Sequence, residues 1–242
     1  MRYAVLSDIH GNLEALTQVL AHSARMGVDG LLCLGDVVGY GADPVPCLER
    51  VRREVSALVA GNHDHGSAGL LDLGWFNAAA RIAAQWSAER LSDEERAYLA
   101  ELPLTAELHD ATLVHASPRH PEAWEYLLTP RDGFTAFECF TTRLCFVGHS
   151  HRPGVWAQGS NGYRFLAGSE GVTCEPGHRY IVNVGSVGQP RDRDSRAAYA
   201  LWDLKTSRVT IHRVGYDVHT TQLKIYRSGL PRILGERLSH GL

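Results

Sequence analysis

The stretch Tyr3-Ala4-Val5-Leu6-Ser7-Asp8-Ile9-His10-Gly11-Asn12-Leu13 decides how the chain is read. Tyr3–Ser7 is a short β-rich run that stops on a carboxylate and an imidazole two residues apart. Gly11-Asn12 breaks the run. Leu13, Leu16, Leu20 and Ala24 then recur at helical spacing. Working outward, Gly30 precedes a second apolar run, Leu31–Leu34, which stops at Gly35-Asp36. A helix is expected from about Pro46 to Val55. A third run, Ala57–Ala60, stops at Gly61-Asn62-His63-Asp64. Strands alternating with helices in this way predict parallel βαβ units.

The middle of the chain changes character. Phe76, Ala79, Ala80, Ala83 and Trp86 form one apolar helical stripe between Trp75 and Leu91. Ser92-Asp93-Glu94-Glu95 is a capping box for a further helix that ends before Pro103. The region of about 68–103 therefore reads as a helical insertion over the sheet edge, its aromatics serving mainly as packing. Strands resume at Ala111–His115 and Leu144–Gly148, flanking a helix that starts at Thr129-Pro130. Short runs at Gly154–Ala157, Tyr163–Ala167, Tyr180–Val184, Ala197–Leu204 and Ser207–Val214 suggest a second sheet packed on the first. The tail, Asp217–Leu242, reads as helix broken at Gly229-Leu230-Pro231. No repeat or linker interrupts the chain, which predicts one α/β domain over residues 1–242.

Composition narrows the function. The 242 residues carry a net charge of −3, unsuited to gripping polymeric nucleic acid by its phosphates. The stretch Arg191–Arg237 is more basic than the rest and reads as solvated surface. The five cysteines, Cys33, Cys47, Cys139, Cys145 and Cys174, include no C-x-x-C pair, which fits reduced, mostly buried thiols and no thiolate zinc site. Met1–His10 is too short for a secretory leader, and no run approaches the roughly 20 apolar residues of a membrane span. A cytoplasmic protein without membrane attachment is expected; the oligomeric state is left open.

Ligand-type residues stand where the apolar runs stop. Asp8 and His10 follow the first, Asp36 the second, Asn62, His63 and Asp64 the third, His115 the fourth, His149 and His151 the fifth. In open α/β sheets, ligands bind beyond the carboxyl ends of strands. A spacing of two puts both side chains of Asp8-x-His10, and of His149-x-His151, on one side of extended backbone. A single histidine or aspartate at such a place is ordinary turn chemistry; the ordered set D-x-H … G-D … G-N-H-D … H … G-H-x-H is not. Gly11, Gly35, Gly61 and Gly148 flank the set, as loops that leave strands abruptly require.

This set resembles the calcineurin-like metallophosphoesterase superfamily over nearly the whole chain. The segments Gly35–Gly41, His115–Arg119 and Asn183–Arg191 resemble its small branch of YfcE-like phosphodiesterases and bacterial diadenosine tetraphosphate hydrolases. The resemblance implies a four-layer α-β-β-α sandwich of two mixed sheets. It implies one metal on Asp8, His10 and His151, a second on Asn62, His115 and His149, and Asp36 bridging them. His63 would stand beside the metals near the leaving group, with Asp64 orienting its ring. Oxygen and imidazole donors suit two divalent or trivalent ions of the Mn, Fe, Zn, Co or Ni type. Two such ions would clamp a small phosphorylated substrate for attack by a metal-bridging hydroxide, with His63 protonating the leaving group. Arg119 and Arg191 are the candidate phosphate contacts, Arg119 favoured. The alternative within enzymes is a broad-specificity phosphatase or a Ser/Thr protein phosphatase; the arginine that Ser/Thr protein phosphatases carry after the G-D motif is missing from Gly35–Tyr40, which disfavours the latter. A non-catalytic scaffold is disfavoured because every ligand position and His63 are filled.

Overall fold

The computed structural model describes residues 1–168 and 170–242. The βαβ units form as expected. β1 (Arg2–Leu6) runs parallel to β2 (Gly30–Cys33) through α1 (Leu13–Arg25), and β2 runs parallel to β3 (Ala57–Leu58) through α2 (Pro44–Glu54). Asn12 both breaks β1 and caps α1, its side chain accepting the Ala15 N–H at 3.0 Å. The order continues α3 (Asn62–Ser67), α4 (Ala78–Ala88), α5 (Asp93–Ala100), β4 (Thr105–Leu108), β5 (Ala111–Val114), α6 (Pro130–Ala136) and β6 (Leu144–Val147). It closes with β7 (Gly154–Gly159), β8 (Gly162–Ala167), β9 (Gly171–Thr173), β10 (Arg179–Asn183), β11 (Ala197–Asp203), β12 (Arg208–Val214), α7 (Val218–Arg227) and α8 (Arg232–Glu236).

Two six-stranded mixed sheets result, in the orders β3-β2-β1-β11-β12-β9 and β4-β5-β6-β10-β7-β8. The β-rich second half does not form the second sheet by itself. β11 and β12 return to the first sheet, with β11 antiparallel to β1. The reason lies in β11: Ala198, Ala200 and Trp202 enter the core between the sheets, while Ala197, Tyr199 and Leu201 enter the core under the outer helices. A strand apolar on both faces belongs in the middle of a covered sheet. β4 and β9 are not signalled in the sequence. β4 alternates exposed and half-buried residues at an edge, and β9 is three residues long.

Period-two alternation builds the four layers. Tyr3 and Val5 of β1 meet Leu144 and Phe146 of β6 between the sheets. Ala4 and Leu6 turn outward under α1 and α2, and Cys145 and Val147 turn outward under Phe137. Trp202 and Phe146 close the interface at 5.4 Å between ring centroids.

The insertion covers the edge strand with α5. Leu91 and Leu99 join the outer core, and the Ala60 N–H donates to the Pro103 carbonyl at 2.8 Å. α4 reaches further than the sheet edge. Ala80 and Ala83 pack on Ile225, Leu230 and Leu234 of the tail, and the Trp86 indole donates to the Ser228 carbonyl at 3.1 Å. Phe76 is not on this helix; it precedes the Asn77 cap. The tail breaks where expected, with Gly229 at φ 74° between α7 and α8. Among the described residues no helix is long and apolar enough to cross a membrane.

Trp202→Ala should cost about 3–5 kcal/mol by leaving an inter-sheet cavity. Urea denaturation should show a lower midpoint with an unchanged slope; an unchanged midpoint would contradict the packing role.

Candidate active site

The ligand-type residues meet at one rim, from both sheets. Asp8 and His10 leave β1, Asp36 leaves β2, and Asn62 and His63 open α3 beyond β3. His115 follows β5, and His149 and His151 follow β6. Sharp local backbone makes this possible. Asp8, His10, Asp36, His149 and His151 all have left-handed φ, between 51° and 62°. Such a conformation costs about 1–3 kcal/mol for each non-glycine residue and persists only where its surroundings over-determine it. Here the stitching is dense. The Asp8 N–H donates to Gly35 O at 3.0 Å, the His10 N–H to Asp36 O at 2.9 Å, and the Gly188 N–H to Asp8 O at 2.9 Å. Two glycines are forced by close approach. A Cβ on Gly61 would run into the Asp36 carboxylate, and one on Gly148 into Ser7 and Asp8.

Three imidazoles are held in one tautomer. Nδ1 of His10 lies 3.1 Å from Val38 O, Nδ1 of His115 lies 2.8 Å from Leu34 O, and Nδ1 of His151 lies 2.5 Å from Gln189 O. An Nδ1–H donated to a carbonyl leaves Nε2 of the neutral ring as a bare lone pair. Yet Nε2 of His10 and Nε2 of His151 face each other at 3.1 Å. Two acceptors at that distance repel unless a cation lies between them. Asp8 Oδ1, Asn62 Oδ1 and His149 Nε2 are buried without hydrogen-bond partners, which buried polar atoms rarely are. The donor atoms of Asp8, His10 and His151 lie within 4.8 Å of one another, and so do those of Asp36, His115 and His149. The residues present fit metal ions.

Electrostatics agrees. Burial, chiefly, holds His10 and His151 below the ordinary imidazole value and pushes His149 down to about 3. These rings are in the neutral form that ligates metals. Burial also pushes His63 down to about 4. His115 is the exception: burial opposes its charge, but the Asp36 and Asp8 carboxylates override that and raise it to about 9. The two carboxylates therefore call for positive charge at this point, and His115 supplies it when no cation does.

Asp64 does not orient His63. Its Oδ1 accepts the Val37 and Val38 N–H groups at 2.9 and 3.3 Å, and its Oδ2 accepts those of Asp36 and Gly61 at 2.7 and 3.0 Å. Asp64 is the clasp between the loop that carries Asp36 and the turn that carries Asn62. The His63 ring is set by stacking, with Tyr40 at 4.4 Å and Phe76 at 5.0 Å, and its Nδ1 has no hydrogen-bond partner.

The structure places the two arginines differently. Arg119 stands half-exposed, 3.5 Å from Glu125, and does not line the cavity above the site. Arg191 lines that cavity, of about 730 Å³, together with Asp36, Asn62, His63, His149 and His151. Much of the basic C-terminal stretch is ion-paired surface, as with Arg213 on Asp192 and Lys224 on Glu14 and Asp43. Arg191 and Arg237 differ: both donate to Gln189 Oε1, at 2.8 and 3.1 Å, and the Nε of each is buried without a partner. Sequence reasoning missed Tyr40 and Tyr126. Tyr126 stacks on His149 at 3.9 Å; it lies in a loop without periodicity, where no sequence signal marks it.

The profile of the calcineurin-like phosphoesterase superfamily domain matches residues 1–207. The chain belongs to that superfamily. It is a metal-dependent phosphoesterase, and the donor clusters fit that assignment. It is 40% identical to an uncharacterized protein of Methanocaldococcus jannaschii, over 98% of this chain and 97% of that one. The crystal structure of a metallophosphoesterase from Sphaerobacter thermophilus is similar at 42% identity and TM-score 0.87, covering 100% of this chain and 99% of that one. A hypothetical protein from Pyrococcus horikoshii OT3 shares the fold, with TM-score 0.78 and 21% identity over 100% of this chain and 98% of that one.

The lowered histidines make the metal-free phosphoesterase acid-sensitive. His10, His63, His149 and His151 stay neutral in the fold while the unfolded chain takes up protons near pH 6.5, so their contribution is present above that pH and lost below it. The raised His115 works oppositely, its contribution being lost only as pH rises through about 9. Chelated protein should therefore show a lower urea midpoint at pH 5 than at pH 7; a higher midpoint would refute the neutral assignment.

Proposed function

We propose that this metallophosphoesterase hydrolyses a phosphoester or phosphoanhydride bond of a small molecule, a phosphodiester or dinucleoside polyphosphate, using two ions of the Mn, Fe, Zn, Co or Ni type. One observation carries the dinuclear reading. Asp36 Oδ2 lies 3.5 Å from His10 Nε2 and 3.4 Å from His115 Nε2, midway between imidazoles of the two donor clusters. Asp8, His10 and His151 would hold one ion, Asn62, His115 and His149 the other, and Asp36 both. Two cations so held would neutralise the phosphoryl oxygens and acidify the attacking water.

The remaining steps belong to side chains. Arg191 binds a phosphoryl oxygen, being the guanidinium on the cavity wall. His63 gives its proton to the departing oxygen. Without substrate, burial keeps His63 neutral and Arg191 adds to that effect. A phosphate dianion against Arg191 would offset Arg191's share of this pull and so favour the protonated ring, while burial continues to oppose it. Tyr126 fixes the His149 ring by stacking. The Asp36 loop continues into fully buried Val37 and Val38 and offers no arginine, which supports a small-molecule substrate over a phosphoprotein. Five free cysteines fit a reducing, cytoplasmic setting.

Chelator-stripped protein should hydrolyse bis(p-nitrophenyl) phosphate only after Mn²⁺ is added. His63→Ala should keep its metal content and lose roughly 10²- to 10⁴-fold in kcat; unchanged turnover of a substrate with a poor leaving group would remove His63 from the mechanism. Asp36→Asn should lose both metals by elemental analysis, and retention of two per chain would refute the bridge.

A further inference from the structure

The cavity of about 730 Å³ has an ionisable floor and aromatic walls. Trp75 and Phe76 enter it from the segment before α4, Trp124 and Tyr126 from the loop after β5. Two of these rings rest on floor residues, Phe76 on His63 at 5.0 Å and Tyr126 on His149 at 3.9 Å, and Trp124 lies 6.0 Å from His115, which is buried beneath the cavity. Trp75 differs. Among the described residues it has no ring partner, and it is 89% exposed.

Its backbone is nevertheless fixed. Trp75 ends a short 3₁₀ turn, Leu73–Trp75, in which Asp72 caps the Gly74 N–H at 2.8 Å and the Phe76 N–H bonds to Leu73 O at 3.1 Å. A large ring held at the mouth of a cavity but left in water is an open stacking face. What it would stack is narrowed by its neighbours. Asp72, Asn77 and Glu122 line the same cavity, offering acceptors and an amide to amino and hydroxyl edges. Leu70, Leu71, Ala80 and Ala123 line it as well, so the wall offers apolar surface to a flat ring beside polar groups for its edges. A planar heterocycle joined to a hydroxylated sugar satisfies both the ring and the polar edges, and a ligand of that size suits a cavity of this volume.

We infer that Trp75 is a stacking platform for a nucleobase, so that the substrate is a nucleoside-bearing phosphoester or phosphoanhydride. The inference rests on the phosphoesterase reading of the cavity floor. Phosphate on Arg191 and base on Trp75 would be the two anchors, with the scissile bond over the donor clusters.

The test is calorimetric binding of adenosine 5′-monophosphate and ribose 5-phosphate to the chelated protein, which keeps binding separate from turnover. Adenosine 5′-monophosphate should bind roughly 5- to 100-fold more tightly, the usual worth of one stacked base. Trp75→Ala, an exposed position whose loss should not disturb folding, should abolish that advantage and leave ribose 5-phosphate unaffected. Trp75→Phe should keep most of it. Equal affinity of the two ligands for the wild type, binding of neither, or equal weakening of both by Trp75→Ala would overturn the inference. So would loss of a self-associated species in Trp75→Ala with nucleotide affinity intact, since the ring would then serve a second copy of the chain. Mn²⁺-dependent turnover measured alongside separates the two levels: if it persists while the ligands bind equally, the stacking role alone fails, and if no divalent ion restores it, the reading beneath fails as well.

Discussion

Two carboxylates and four imidazoles are buried within a few ångströms of one another, and the rest of the structure exists around that unfavourable fact. Burying such groups costs several kcal/mol each unless charge and hydrogen bonds are matched. Asp8, Asp36, His10, His115, His149 and His151 are almost inaccessible. The matching comes from backbone groups on the outside and positive charge on the inside. At His10 and His151 the carbonyl that takes the Nδ1–H also aims a lone pair inward. The same bond that satisfies a ring prepares it as a ligand.

The two sheets are tied together at this point as well as through their apolar interface. The His149 N–H donates to Asp8 Oδ2 at 3.0 Å, and the Ser186 hydroxyl to Asp8 O at 2.8 Å. The Asn183 amide holds Gly148 O at 2.7 Å. Asp64 clasps the Asp36 loop to the Gly61 turn with four backbone N–H groups. These contacts are why strained φ values are sustained at Asp8, His10, Asp36, His149 and His151. Flexibility there would let the donors separate, and repulsion between them would favour it.

The floor and the walls of the cavity have separate origins. Strand ends supply the floor. The insertion and the tail supply much of the wall, and they pack on each other through Ala80, Ala83, Ile225 and Leu234. A chain can therefore alter the segment from Leu70 to Asn77 without touching the ligands. The donor-type residues stand on rigid sheet edges, and the cavity wall comes from loops that pack against them.

The sequence by itself determined the βαβ start, the breaks at Gly11-Asn12 and Gly229-Leu230-Pro231, the capping box at Ser92, and the standing of seven donor-type residues at strand ends. These are local matters: strands ending on Asp8, Asp36 and His115 announce a rim because side-chain period and turn chemistry act within a few residues. Only the tertiary structure decided that β11 lies beside β1, since both its faces are apolar and either sheet could have taken it. Only the tertiary structure showed Asp64 spending both oxygens on backbone amides rather than on His63, because a carboxylate's partners are chosen by proximity across chains of loop. It also separated Arg191 from Arg119. Both follow ligand motifs, but one turns into the cavity and the other finds Glu125 on the surface, and the direction a loop side chain takes has no periodicity from which to read it.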